Sequence, residues 1–77
     1  MRLDLSGRGL DDAGVANALV DAGHLVELNL YRNRLTSVPA SLAELPCLGK
    51  LDLRWNLLAA RPGWMDELDA RGCAVYT

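Results

Sequence analysis

The chain has 77 residues and a mass of 8.4 kDa, which is enough for one domain. Hydrophobic residues make up 51% and charged residues 23%, a balance typical of a globular chain rather than a disordered one. The net charge of −2 argues against binding to nucleic acid or to an anionic membrane, because both need a basic surface. No apolar run approaches the ~20 residues that span a bilayer. We therefore expect a small, soluble, cytoplasmic domain.

The sequence repeats itself at an offset of 23 residues. Asn33 and Pro39 recur as Asn56 and Pro62, and these matches are the most informative because the composition does not inflate them. Five leucines recur at the same offset: Leu25, Leu28, Leu30, Leu35 and Leu45 correspond to Leu48, Leu51, Leu53, Leu58 and Leu68.

Weaker copies lie on either side of these two repeats. Leu3, Leu5 and Leu10 precede Leu28, Leu30 and Leu35 by 25 positions, and Arg8 occupies the slot of Asn33. Near the other end, Cys73 and Val75 alternate with Ala74 and Tyr76, which predicts one more short strand.

The two central segments, LVELNLYRNRLTSVPASLAELPC and LGKLDLRWNLLAARPGWMDELDA, resemble leucine-rich repeats of the LxxLxLxxNxLxxLPxxLxxL type. The earlier segment LDLSGRGLDDAGVANALVDAG resembles the longer, helical-backed version. The resemblance, to small bacterial-type leucine-rich repeat proteins, implies an α/β solenoid: a short right-handed arc with about four parallel strands on the concave face and helices or turns on the convex face. It implies one domain over 1–77, with repeats at about 1–24, 25–47 and 48–70 and a C-terminal strand cap at 71–77. It also implies a non-catalytic module that binds a protein or peptide and needs no cofactor.

Alternation within each repeat predicts strands whose leucines point inward and whose other side chains point to solvent. Stacked copies would join the leucines into one core, since a single repeat cannot bury its apolar face alone. The outward residues then form three columns across the sheet: Arg2, Glu27 and Lys50; Asp4, Asn29, Asp52 and Ala74; and Ser6, Tyr31, Arg54 and Tyr76.

Asn33 and Asn56 come directly after two of the strands, where the chain must turn. An Asn side chain can satisfy backbone groups that a turn leaves open, and the resemblance implies that the two form a ladder from turn to turn. Arg8 breaks the pattern, so we expect a looser or differently capped first turn.

The segments that return to the next strand differ from one another. Asp11 or Asp12 is the expected N-cap of a helix that Gly23 ends. Its apolar side is predicted to consist of Val15, Ala18, Leu19 and Ala22. Pro39 leaves room only for a helical turn over 41–45, and Pro62 precedes a short helix over about 64–70 in which Trp64 covers the end of the core.

The third column carries the functional hypothesis, because Arg54 between Tyr31 and Tyr76 permits cation–π stacking. Trp55 follows at the rim with Arg32 in the equivalent position, and Tyr, Trp and Arg are enriched at binding hot spots. The predicted partner-binding residues are Tyr31, Arg32, Arg54, Trp55 and Tyr76, with Asn29 and Asp52 as polar neighbours. The alternative is a self-satisfied surface, with Arg54 on its own tyrosines and Trp55 folded onto the loop beside Leu57.

No enzyme or metal site stands out. The only histidine, His24, lacks a nucleophile and an orienting acid in a recognisable motif. Ser6-Gly-Arg-Gly9 is a lone G-x-G without the setting of a dinucleotide site. Cys47 and Cys73 lack the paired spacing of zinc ligands and would form a disulfide only if the fold brought them together.

Two other functions stay open. The chain could be a structural or oligomerising subunit that docks, or self-associates, through an uncapped N-terminal edge, where Leu3 and Leu5 begin the first strand. It could also be an enzyme or a modified-peptide carrier whose substrate is the tail 73–77. A repeat domain of this size is expected to have marginal stability on its own.

Overall fold

A computed structural model describes residues 1–19, 23–59 and 61–77. It contains one sheet of four parallel strands that lie side by side in chain order. The strands are β1 (Arg2–Asp4), β2 (Glu27–Asn29), β3 (Lys50–Asp52) and β4 (Ala74–Tyr76).

In the described residues, three helical segments lie between the strands: α1 (Asp12–Ala18), a 3₁₀ helix (Ala40–Glu44) and α2 (Trp64–Ala70). Helix α2 packs against β4 and against the 3₁₀ helix. The molecule is thus a small α/β structure, as the sequence predicts at this level. Within the described residues, no helix combines the length and apolar character needed to cross a membrane.

Helix α1 begins as expected and ends early. The Asp11 carboxylate caps it by accepting a hydrogen bond from the Gly14 N–H at 2.8 Å. Val15 is fully buried, whereas Ala18 is exposed, so the prediction that Ala18 belongs to the buried side is wrong. The C-cap is Leu19, whose ψ of 5° leaves the helical range; Gly23 does not end α1, and Ala22 lies outside the described residues.

The prolines set the other two connections. Pro39 is extended and immediately precedes the 3₁₀ helix, so the chain makes only the short helical segment that was predicted there. Helix α2 follows Pro62 and buries Met65 and Leu68, which lie three residues apart on one side of the helix. Trp64 is partly buried against the core.

The leucines of the two central repeats form the core. Seven of them, at 25, 28, 30, 35, 42, 51 and 68, have at most 1% of their surface exposed. Leu3, Leu5 and Leu10 of the first copy are only partly buried and pack on the outside of this cluster. A leucine flanked by strands on both sides therefore loses more solvent contact than one in the edge strand.

The strand register agrees with the predicted columns over β1 to β3 and departs from them at β4. Arg2 pairs with Glu27 and then Lys50, and Asp4 with Asn29 and then Asp52, as predicted. In β4, however, Ala74 lies opposite Lys50 and Tyr76 opposite Asp52, a shift of two residues.

The short link from α2 to β4 explains this shift. Gly72 adopts a φ of +90°, and the Cys73 N–H bonds the Leu68 carbonyl at 2.9 Å. The residue level with Lys50 is therefore Ala74 rather than Gly72, so the chain reaches this level two residues later in the sequence than predicted. Because side chains alternate with a period of two, Tyr76 stays on the predicted face.

Candidate partner-binding site

Arg54 lies between two tyrosines on the sheet face opposite the leucine core. Its guanidinium carbon is 5.6 Å from the centre of the Tyr31 ring and 5.4 Å from that of Tyr76, within the range of a cation–π contact. Tyr76 reaches Arg54 diagonally, since the register places it opposite Asp52. The predicted cluster of Tyr31, Arg54 and Tyr76 therefore forms in spite of the shifted strand.

Asp52 holds the Arg54 side chain in this position. Its two carboxylate oxygens accept hydrogen bonds from the guanidinium Nε at 3.1 Å and Nη2 at 2.8 Å. Only 5% of Asp52 is exposed. The hydrogen bonds from Arg54 lower the pKa of the Asp52 carboxyl although burial opposes them, and the pair raises the pKa of the guanidinium. The guanidinium is therefore fixed in place by a paired carboxylate and two rings.

The same local turn positions the outward side chain after each of the first three strands. The carboxylate of Asp52 accepts from the Arg54 N–H at 3.1 Å, and Asn29 does the same for Tyr31 at 3.0 Å. In the first copy, Asp4 accepts from the Ser6 N–H at 2.9 Å. Each is an Asx turn, in which the side chain bonds the backbone two residues on.

These turns give Asn29 and Asp52 a role that the sequence interpretation missed. Both were predicted only as polar neighbours of the partner surface, whereas both orient the residues that form it. The signal was available, because Asp4, Asn29 and Asp52 occupy one repeat position and each lies two residues before a member of the third column.

The next residue of each turn has a left-handed backbone. Gly7, Arg32 and Trp55 occupy this repeat position with φ of 65°, 59° and 62°. Glycine adopts that conformation without strain, whereas an L-residue with a side chain is strained there. Two turns thus carry a large side chain where the first carries glycine.

Trp55 extends into solvent, with 74% of its surface exposed, and Leu57 is 62% exposed. The alternative of Trp55 folded onto the loop beside Leu57 is therefore wrong. The other part of that alternative, the stacking of Arg54 on Tyr31 and Tyr76, is confirmed. Tyr31 and Arg32 line a hollow of about 260 Å³ together with Trp55, so the structure brings these three predicted residues together.

The asparagines hold the turns against one another. The Asn33 amide donates to the carbonyls of Leu5 and Leu30, both at 2.9 Å. Its Oδ1 accepts from Arg8 at 3.2 Å and Leu10 at 3.0 Å. The first turn, which lacks its own Asn, is thus bonded by the next one.

Asn56 repeats this pattern one turn later. Its amide donates to Leu30 and Leu53, and its Oδ1 accepts from Leu35 at 3.1 Å. Both asparagines consequently serve the backbone of their own turn and of the preceding one.

Charged groups cover the other end of the sheet face. Arg2 pairs with Glu27 at 3.4 Å, and the Lys50 ammonium lies 5.7 Å from the Tyr76 ring. A shallow pocket of about 240 Å³ lies here, and its polar lining includes Arg2, Glu27, Lys50, Asp4 and Asn29. The pocket contains both signs of charge and continues toward the Arg54 cluster.

The remaining candidates do not assemble into a site. His24 is exposed, and its carbonyl accepts from the N-terminal ammonium at 3.2 Å. Cys47 is exposed and Cys73 buried, and both are free thiols; burial raises the pKa of Cys73. Across residues 1–19, 23–59 and 61–77, no three His, Cys, Asp or Glu side chains group as metal ligands would.

Comparisons with protein-family models, with curated proteins and with solved structures find no match to the chain. What the site can bind is therefore inferred from the chemistry of its own residues. It presents two tyrosines, a fixed guanidinium and an exposed indole, residue types that recur where proteins bind one another.

Proposed function

We propose that the chain is a leucine-rich repeat module, a short solenoid arc, that binds a protein or peptide through the concave face of its sheet. The 23-residue recurrence, the parallel strands in chain order and the turn asparagines support this assignment. The contact centres on Tyr31, Arg54, Trp55 and Tyr76, next to Arg32.

The observation that carries the proposal is the combination of a fixed guanidinium with exposed aromatic rings. Arg54 is immobilised by Asp52 and by two tyrosines, so a partner need not order it. Trp55 and Tyr76 are exposed beside it. A surface that is already ordered loses less side-chain entropy on association, which favours binding.

Binding suits this cluster better than catalysis. Asp52 is the only carboxylate that touches Arg54 in the described part of the chain, and its pKa is lowered by the hydrogen bonds it accepts. A general base works best with a pKa near the operating pH. A carboxylate with a lowered pKa that is already paired would be a weak base, so the group is suited to orienting Arg54.

A random-peptide display library tests the proposal without a known partner. Peptides are selected on the wild-type protein and then measured on Arg54→Gln/Trp55→Ala, with Arg2→Gln as the matched control on the other end of the sheet. We expect selected peptides to lose at least tenfold in affinity on the double variant and less than twofold on the control.

Circular dichroism and thermal unfolding of each variant establish that the fold is retained. Peptides that bind the double variant as tightly as the wild type would contradict the proposal. So would a failure of repeated selections to yield any peptide that distinguishes the two proteins.

A further inference from the structure

The turns after β1, β2 and β3 lie side by side at one end of the sheet. We call this edge, residues 6–9, 31–34 and 54–57, the turn rim. Backbone hydrogen bonds join its members: Gly7 donates to Tyr31 at 2.9 Å, and Arg32 donates to Arg54 at 3.0 Å. The three turns therefore form one continuous edge.

Arginines dominate the first two turns of this edge. Arg8, Arg32 and Arg34 are all exposed, and within the described ranges no carboxylate lies at ion-pair distance from any of the three. The other arginines bond acidic side chains or backbone carbonyls. The turn rim is thus locally basic in a chain whose net charge is −2.

The third turn continues the same edge with apolar groups. Trp55 and Leu57 occupy the positions held by Arg32 and Arg34 one turn earlier, and both are exposed. The hollow beside Trp55, about 260 Å³, lies just below the usual volume of a small-molecule pocket, about 300–1,000 Å³. It has the size to accept a single apolar side chain.

The internal repeat indicates that the fold does not require large side chains at the positions of Arg32 and Trp55. Gly7 fills the left-handed position in the first turn, and Arg32 and Trp55 fill it in the next two. The two large residues impose backbone strain that glycine avoids. Their exposure leaves little internal packing to offset that strain, so their contribution is to the surface.

We propose that the turn rim binds an acidic peptide segment that carries an apolar residue beside its acidic ones. This inference rests on the proposed binding function and names the chemistry of the partner. Carboxylates of the segment contact the arginines of the first two turns, and the apolar residue enters the hollow beside Trp55. Guanidinium groups suit such carboxylates because they offer paired donors.

The spacing of the strands sets the length of the contact. Neighbouring strands lie about 4.8 Å apart, so the three turns span ~10 Å, which an extended peptide crosses with about three residues. A short cluster of acidic residues with one adjacent leucine or aromatic residue is enough to reach from Arg8 to Trp55.

An acidic peptide fits this surface better than a nucleic acid does. The strands that end next to the turn rim carry Asp4 and Asp52 as their last residues, and the whole chain is negatively charged. A continuous phosphate backbone would cross those acids and be repelled. A peptide can confine its charge to the few residues over the arginines.

Fluorescence anisotropy with defined probes tests the inference. The main probe is a labelled peptide with a run of glutamates next to two leucines. The comparison probes replace the glutamates by glutamines, replace the leucines by serines, or are a thymidine oligonucleotide of equal charge. The full chain is used as wild type and as four variants: Arg32→Glu/Arg34→Glu, Trp55→Gly, Arg54→Gln/Trp55→Ala and, as the control, Arg2→Glu.

We expect the acidic–apolar peptide to bind the wild type most tightly. The charge-reversing variant Arg32→Glu/Arg34→Glu should weaken the affinity for this peptide by about tenfold or more, and Trp55→Gly should weaken it by a similar factor. The control Arg2→Glu, at an exposed residue on the opposite end of the sheet, should change the affinity less than about twofold. Raising salt from about 0.05 to 0.5 M should weaken the acidic peptide and leave the glutamine peptide unchanged.

Several results would overturn the inference. Equal binding of the glutamine peptide, preference for the oligonucleotide, or no binding of the acidic–apolar peptide at about 1 mM would each do so. If the glutamine peptide binds and loses affinity on Arg54→Gln/Trp55→Ala, the proposed function stands while the acidic partner does not. Unfolding curves of every variant separate lost binding from lost structure.

Discussion

Residue 55 allows a direct test of the left-handed turn. We predict that Trp55→Gly is more stable than Trp55→Ala, the reverse of the usual order. Both variants remove the indole, so the loss of its contacts cancels in the comparison. The remaining difference in stability between the two variants comes from the backbone, which has a φ of 62° at this residue.

The magnitude follows from two opposing effects. A left-handed backbone costs an L-residue about 1–2 kcal/mol, which glycine avoids. Glycine also gives the unfolded chain more freedom, which costs about 0.4–1 kcal/mol. The difference favours glycine by about 0.5–1 kcal/mol, and in a domain of this size about 1 kcal/mol moves Tm by roughly 4–8 °C.

Two further variants calibrate the result. Ala16 is exposed within α1, so Ala16→Gly should destabilise by about 1 kcal/mol. Gly7→Ala meets no atom within 4 Å, so its cost should come from the backbone alone and match the difference at residue 55. Urea unfolding followed by circular dichroism measures all of these changes. A Trp55→Gly protein less stable than Trp55→Ala would refute the reasoning.

Three other predictions concern stability and reactivity. The pKa of Asp12 is lowered to about 2 by hydrogen bonds from Thr36 and Ser37; because the folded-state pKa is the lower one, the stabilisation is present above the unfolded value of 3.8 and disappears as the pH falls toward 2. Urea unfolding should therefore show that Asp12→Asn destabilises the protein near neutral pH and that the difference from wild type shrinks as the pH falls and is lost below about pH 2. Asn33→Ala should cost about 2–4 kcal/mol on unfolding, since backbone groups of two turns lose partners, and a loss below about 0.5 kcal/mol would contradict this. A thiol reagent should label Cys47 in the native protein and reach Cys73 only on unfolding, because Cys73 is buried with a raised pKa; equal labelling rates would be the opposite result.

The periodic part of the fold could be predicted from the sequence because one physical requirement recurs there. Leu28 and Leu51 must face the same core, and this fixes the pairing of β2 with β3. Asp11 and Pro62 mark helix starts through purely local chemistry, and both helices begin where those residues indicate.

The parts that could not be predicted depend on geometry outside the repeat pattern. The register of β4 follows from the tight link at Gly72, which a strict column alignment ignores. The short α1 reflects where Leu19 leaves the helical backbone. Of the site, the stacking of Arg54 was foreseeable from residue types, whereas the left-handed backbone of Trp55 needed coordinates.

The backward reach of Asn33 and Asn56 has a consequence for building longer arrays. Each asparagine bonds its own turn and the one before it, so these two turns each complete the turn that precedes them. A duplicate of residues 25–47 inserted after position 47 would carry its own turn asparagine. The amide of that asparagine could donate to backbone carbonyls of the preceding turn, as Asn56 does. The chain is consequently a natural template for modular extension, in which each added unit widens the available surface by one strand.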